Sequence, residues 1–193
     1  MTVSLTKGQR VSLSKDSKTL SRIFMGLGWD IAKKGGLFGS LLGRHEDIDL
    51  DASCLVFNES NKLVDEIWFR QLKGMNGAIV HTGDNLTGAG NGDDEVIKVD
   101  FSQLPASIKS LVFTVNSFRG QTFDKVANAR CRVVDDVSGK ELAVFNLSEA
   151  GPHTGFIMAR IYRHNGEWKI HAIGERTNGR TFHDMMPAIQ AAL

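Results

Sequence analysis

A chain of 193 residues, 41% hydrophobic and 23% charged, has enough apolar material for one packed domain and excludes the disordered and fibrous classes. A net charge of +1 supplies no overall field for nucleic acid or anionic lipid, and no run approaches the ~20 apolar residues of a membrane-spanning helix. The opening residues MTVSLTKGQRVSLSK lack the apolar centre of a signal peptide, so the expected setting is a reduced cytoplasm. Cys54 and Cys131 fit it: each lies in an apolar run, without metal-type or disulfide spacing, and reads as a buried thiol.

In chain order, Val3 and Leu5, then Val11 and Leu13, alternate with polar neighbours. RIFMGLGW (22–29) reads as a buried strand, and KKGGLFGSLLGRHED (33–47) as a glycine-rich apolar insertion folded onto the core. ASCLVF (52–57), EIWFRQL (66–72) and EVIKVDF (95–101) are strand candidates, and LPASIK (104–109) suits one helical turn with Pro105 near its start. SLVFTVNSF (110–118), ARCRVVDD (129–136), ELAVFNL (141–147), GFIMARIYRH (155–164) and EWKIHAIG (167–174) follow, rich in β-branched and aromatic residues. DVSGKE (136–141) and HNGEW (164–168) read as hairpin turns, the second with Asn165-Gly166 suited to a type I′ turn. The tail TFHDMMPAIQAAL (181–193) sets Phe182, Met185, Met186, Ile189 and Leu193 on one helical face, with Thr181 and Asp184 at capping spacing; Pro187 predicts a kink or a shorter helix. About ten short strands with turns every 8–12 residues predict an all-β fold, a two-sheet β-sandwich, as one domain over 1–193 with a short C-terminal helix packed on it.

Acidic residues gather in three loop-like places. HTGDNLTGAGNGDDEV (81–96) offers Asp84, Asn85, Asp93, Asp94 and Glu95, with Gly88, Gly90 and Gly92 allowing the chain to fold back. DIDLDAS (47–53) places Asp47, Asp49 and Asp51 at i, i+2, i+4, on one face of a strand. GLGWD (26–30) adds Asp30 at a strand end. Oxygen-rich loops of this kind suit a hard cation, Ca²⁺ or Mg²⁺, at one end of the sandwich. An EF-hand is excluded: Asp84 and Glu95 occupy its first and last positions, but Leu86, Gly88 and Ala89 stand where it needs oxygen ligands and a glycine.

GLGWD, DIDLDAS, HTGDNLTGAGNGDDE and EVIKVDF, continued by VFTVNSFRGQTF (112–123) and NARCRVVD (128–135), strongly resemble the TerD domain of bacterial tellurite-resistance and chemical-stress proteins. LFGSLLG and NSFRGQTF are most similar to the TerZ branch of that family. The resemblance implies a cytoplasmic β-sandwich that binds Ca²⁺, two ions, in its acidic loops. By position it implies Asp30, Asp49, Asp51, Asp84, Asn85, Asp93, Asp94 and Glu95 as ligands. Asn91 stands where relatives often carry an acid, which implies weaker binding rather than none.

Two functional classes follow. One is a non-enzymatic module whose loops order on Ca²⁺ and present a surface to another protein of the tellurite-resistance system, or to the inner face of the membrane. The apolar LFGSLLG, flanked by Asp30 and Asp47–Asp51, motivates the membrane option; no nucleic acid is expected. The other is a metal-dependent hydrolase or phosphoryl-handling enzyme using the same acids, with His81, Arg119 or Arg180 nearby. No nucleophile elbow, H-E-x-x-H pattern or Walker loop supports it, and His81 reads as a hydrogen-bonding strand-end residue.

Overall fold

The computed structural model describes residues 7–12, 20–31, 48–84, 92–147 and 151–193. Its strands are β1 (Arg10–Ser12), β2 (Arg22–Ile31), β3 (Leu50–Asn58), β4 (Leu63–Ile67), β5 (Lys73–Gly74), β6 (Ile79–His81), β7 (Glu95–Asp100), β8 (Ile108–Ser117), β9 (Val126–Asp135), β10 (Glu141–Asn146), β11 (Gly155–His164) and β12 (Glu167–Thr177), followed by helix α1 (Phe182–Ala191). They form two six-stranded antiparallel sheets, β1-β12-β11-β8-β3-β4 (sheet A) and β10-β9-β2-β7-β6-β5 (sheet B). The predicted two-sheet sandwich with a C-terminal helix is the fold observed. The apolar insertion at 33–47 and the alternation at Val3, Leu5 and Leu13 lie outside the described residues.

Side-chain alternation builds the core between the sheets. Ile23, Met25, Leu27 and Trp29 of β2 point inward, as do Ile97 and Val99 of β7, to meet Cys54, Val56, Leu111 and Phe113 of sheet A. Cys54 and Cys131 are both fully buried, and burial pushes both thiols above their ordinary pKa. Sheet B keeps a wet outer face, so β7 alternates between buried and accessible residues. Sheet A does not. Leu55, Phe57, Val112, Ile157 and Ile173 on its outer face pack against Phe182, Met185 and Ile189 of α1. Burial on both sides explains why ASCLVF reads as an unbroken apolar run.

The helix starts where the sequence places it. The Asp184 carboxylate accepts hydrogen bonds from the backbone N–H groups of Arg180 and Thr181, at 2.8 and 3.1 Å. It does not stop at Pro187. That residue is on the exposed side, where water can reach the carbonyl of His183 that loses its helical donor, while the opposite face stays packed on sheet A.

Two local expectations are corrected. EIWFRQL is not a strand: β4 ends at Ile67, and Trp68 and Gln71 close a tight turn through their backbones. The Asp65 carboxylate stitches that turn by accepting from Gln71 Nε2 and the Met75 N–H, and the Trp68 ring packs edge-on against Phe182, 5.2 Å between centroids. LPASIK forms a single turn closed by the Ile108 N–H on the Pro105 carbonyl, and Ile108 already begins β8. Both predicted hairpins form; Asn165 and Gly166 have φ of 52° and 79°, as a type I′ turn requires.

Removing the central side chain of the helix contact should be costly. Phe182→Ala is expected to lower unfolding free energy by about 3–5 kcal/mol, and half-buried Met186→Ala by less than about 1 kcal/mol, in urea titrations with unchanged m-values.

Candidate metal centre

Asp49 and Asp51 flank Leu50, the first residue of β3, so their two-residue spacing carries both carboxylates to the same side. Asp84, just past β6, brings a third. One oxygen from each carboxylate lies within 4.8 Å of the other two. Asp49 and Asp51 are each only 3% exposed, whereas Asp84 opens to solvent. Three carboxylates this close repel one another, and burial deprives Asp49 and Asp51 of water. The Asp51 pKa is accordingly pushed up to about 8, first by burial, then by the charges of Glu95, Asp49 and Asp84; a hydrogen bond from Asn116 opposes the shift. That Asn116 Nδ2 donates to Asp51 Oδ2 at 2.9 Å and also to the Arg180 carbonyl at 2.7 Å. The donor set is all oxygen, with no imidazole or thiolate, which fits Ca²⁺ or Mg²⁺ and not Zn²⁺ or copper.

Glu95 stands behind this cluster, fully buried, and faces protein groups. Its Oε2 accepts the Ala52 N–H at 2.8 Å and lies 3.4 Å from His81 Nε2. His81 Nδ1 in turn accepts the Gly83 N–H at 3.1 Å, which leaves Nε2 as the protonated nitrogen of the neutral ring, aimed at Glu95. His81 is thus the hydrogen-bonding strand-end residue the sequence suggests, and at 2% exposure it is not on the rim.

The other three described candidates gather elsewhere, on the outer face of sheet B. Asp94 Oδ2 accepts the Trp29 N–H at 2.9 Å; its pKa is raised, chiefly by burial, with Asp30 and Asp93 adding to the shift and the Trp29 bond opposing it. Asp30 Oδ2 accepts from Asn128 Nδ2 at 2.8 Å. Asp93 is gripped by Arg132, with Nε 3.0 Å from Oδ1 and Nη2 2.8 Å from Oδ2, while Arg132 Nη1 also holds Glu141 at 3.0 Å. The glycines of GLGWD make room for this. A Cβ on Gly26 would sit 2.2 Å from the Asp93 carboxylate, and one on Gly28 2.7 Å from the Gly92 carbonyl.

The sequence-derived ligands therefore divide. Asp49, Asp51 and Asp84 converge, Glu95 backs them, and Asp30, Asp93 and Asp94 form a second group. Asn85 and Asp47 lie outside the described residues. Sequence reasoning missed Asn116, Asn128 and Arg132. Arg132 left the clearest signal, a cation between buried Cys131 and Val133, which puts it on the outer face of its sheet. Arg119, expected near the acids in the hydrolase alternative, has its Nε 3.6 Å from Asp49 Oδ2.

A family model for the TerD domain matches residues 1–186. The chain belongs to the TerD domain family. Among TerD-domain relatives, the tellurium resistance protein TerZ of Serratia marcescens is 54% identical over 99% of this chain and 98% of its own length. General stress protein 16U of Bacillus subtilis is 42% identical over 93% of each chain. The fold is also that of a solved TerD homologue from Streptomyces coelicolor, with a TM-score of 0.70 and 20% identity over 83% of this chain and 92% of that one.

Two outcomes are expected from the site's electrostatics. Glu95→Ala strands the buried Ala52 N–H and should cost about 2–4 kcal/mol of stability by urea unfolding. Asp51 holds its proton more tightly folded than unfolded, so chelated protein should lose stability as pH rises from about 4 through about 8. Asp51→Asn should flatten that slope, and an unchanged slope would show that Asp51 is not its source.

Proposed function

We propose that this protein is a calcium-binding, non-enzymatic stress-response module. Ca²⁺ held by Asp49, Asp51 and Asp84 would neutralise their repulsion, order the acidic loops, and present a surface to a protein partner or a membrane. The observation that carries this reading is the convergence of three carboxylates from two chain segments, two of them buried, with burial and the neighbouring acids opposing the charge of Asp51. Asp30, Asp93 and Asp94 are the residues for a second ion, which would have to draw Asp93 from Arg132. Glu95 fits a supporting role behind the first ion, and Asn85 remains a ligand candidate.

The stress-response role rests on family membership, since relatives of this chain carry the names tellurium resistance protein and general stress protein. We place it in the cytoplasm, with other proteins of the tellurite-resistance system as partners, at the inner face of the membrane where such a partner resides there. Among the described residues no helix is long and apolar enough to cross a membrane. The hydrolase alternative draws on Arg119 and Arg180, which border the cluster, but its candidate base His81 faces inward to Glu95.

Calorimetric titration of chelator-stripped protein should show tight Ca²⁺ binding and weak Mg²⁺ binding, with Ca²⁺ binding lost in Asp49→Asn/Asp51→Asn. Near pH 7 the Asp51 proton must leave as the ion enters, so the observed heat should vary with the buffer's ionisation enthalpy. An absence of Ca²⁺ heat in the wild type would end the reading.

A further inference from the structure

We propose that Arg119 and Arg180 form an anion clamp beside the Asp49/Asp51/Asp84 cluster, so that with Ca²⁺ in place the site takes a phosphate group as shared ligand of the ion and the two guanidinium groups. This deepens the calcium reading and rests on it.

Arg180, between β12 and α1, leans over the turn after β8 that carries Arg119. The Arg119 side chain is 43% exposed, and its Nε stands 3.6 Å from Asp49 Oδ2. Arg180 Nη2 donates to the Arg119 carbonyl at 3.3 Å, and its Nε lies 3.7 Å from the point a Cβ on Gly120 would occupy. Arg180 is also tied to the acids from behind, because Asn116 Nδ2 donates both to its carbonyl and to Asp51. Among the described residues no carboxylate forms an ion pair with Arg180. An exposed guanidinium fork so placed is suited to a planar pair of oxygens supplied from outside.

Charge makes the clamp conditional. Without an ion the acids of the cluster offset the two arginines and leave no net pull on an anion; a divalent cation adds two positive charges beside them. The ion also weakens the pull of Asp49 on Arg119. Ca²⁺ takes 6–8 oxygens, so three carboxylates leave positions open on the solvent side. A phosphate group can give one oxygen to the ion and two to a guanidinium fork, which a carboxylate cannot. Phe118 borders the same spot: its N–H donates to the Asp49 carbonyl at 3.0 Å, and its half-buried ring meets Phe69 at 5.4 Å, an apolar flank for whatever bears the phosphate.

The test uses the full chain with and without Ca²⁺. Phenyl phosphate is titrated calorimetrically, and phosphatidic acid vesicles, whose headgroup is a phosphate monoester, and phosphatidylcholine vesicles are used for co-sedimentation. Arg119→Gln/Arg180→Gln should keep its Ca²⁺ affinity within about threefold and lose at least about tenfold in phosphate affinity, the scale of one lost charge-assisted contact. Phenyl phosphate binding that needs both Ca²⁺ and the arginines supports the clamp with a soluble phosphate compound as its ligand. The same dependence seen only with phosphatidic acid supports it with a lipid headgroup. Binding of Ca²⁺ without either probe, or equal probe binding by the arginine variant, overturns the clamp and leaves the calcium reading intact. Failure of wild-type protein to bind Ca²⁺ removes both.

Discussion

Glu95 begins a strand of sheet B, yet its carboxylate reaches across and accepts the Ala52 N–H of sheet A. A charged group at zero exposure is costly to place unless protein dipoles replace its water. Here the Ala52 N–H does so, with the His81 ring 3.4 Å away. This contact fixes the height at which the two sheets meet at the acidic end. It thereby sets where Asp51, next to Ala52 on β3, and Asp49, just before that strand, stand relative to Asp84. The cluster is a by-product of that strap: three acids are held close by a frame that does not relax when they repel.

The outer acids obey a different logic. Asp93 and Asp94 follow the same loop but cross to the solvent face of sheet B, where Gly26 and Gly28 leave bare backbone to receive them. There Arg132, Asn128 and the Trp29 N–H satisfy them individually. One acidic stretch of sequence thus supplies two environments, one in which burial keeps a proton on Asp51 and one in which an arginine partner takes up the charge of Asp93.

Most of the architecture was legible because period-two alternation and β-branched runs report burial directly, as in β7 and β9. The exceptions share a cause. EIWFRQL and LPASIK satisfy strand and helix patterns locally, but Trp68 is apolar because α1 lies over it, and Ile108 because it opens β8. At the site, the pairing of Asp49 with Asp51 was readable from spacing. The separation of Asp93 from Asp84 was not, since it depends on which face of β2 offers glycine, and the roles of Asn116 and Arg132 depend on strand neighbours remote in sequence.

The strand order has a bearing on how the molecule comes into being. β1 pairs with β12, β2 lies between β7 and β9, and β3 pairs with β8, so neither sheet can be completed from a contiguous stretch of chain. During synthesis, β3 meets β4 at once but must wait for β8, and β2 must wait for both β7 and β9. Contacts so distant in sequence place folding on the slow side, roughly milliseconds to seconds. Until β8 and β9 arrive, the apolar edges of β2 and β3 are open to mispairing, and the burden of protecting them falls on chaperones or on the speed of translation rather than on the fold itself.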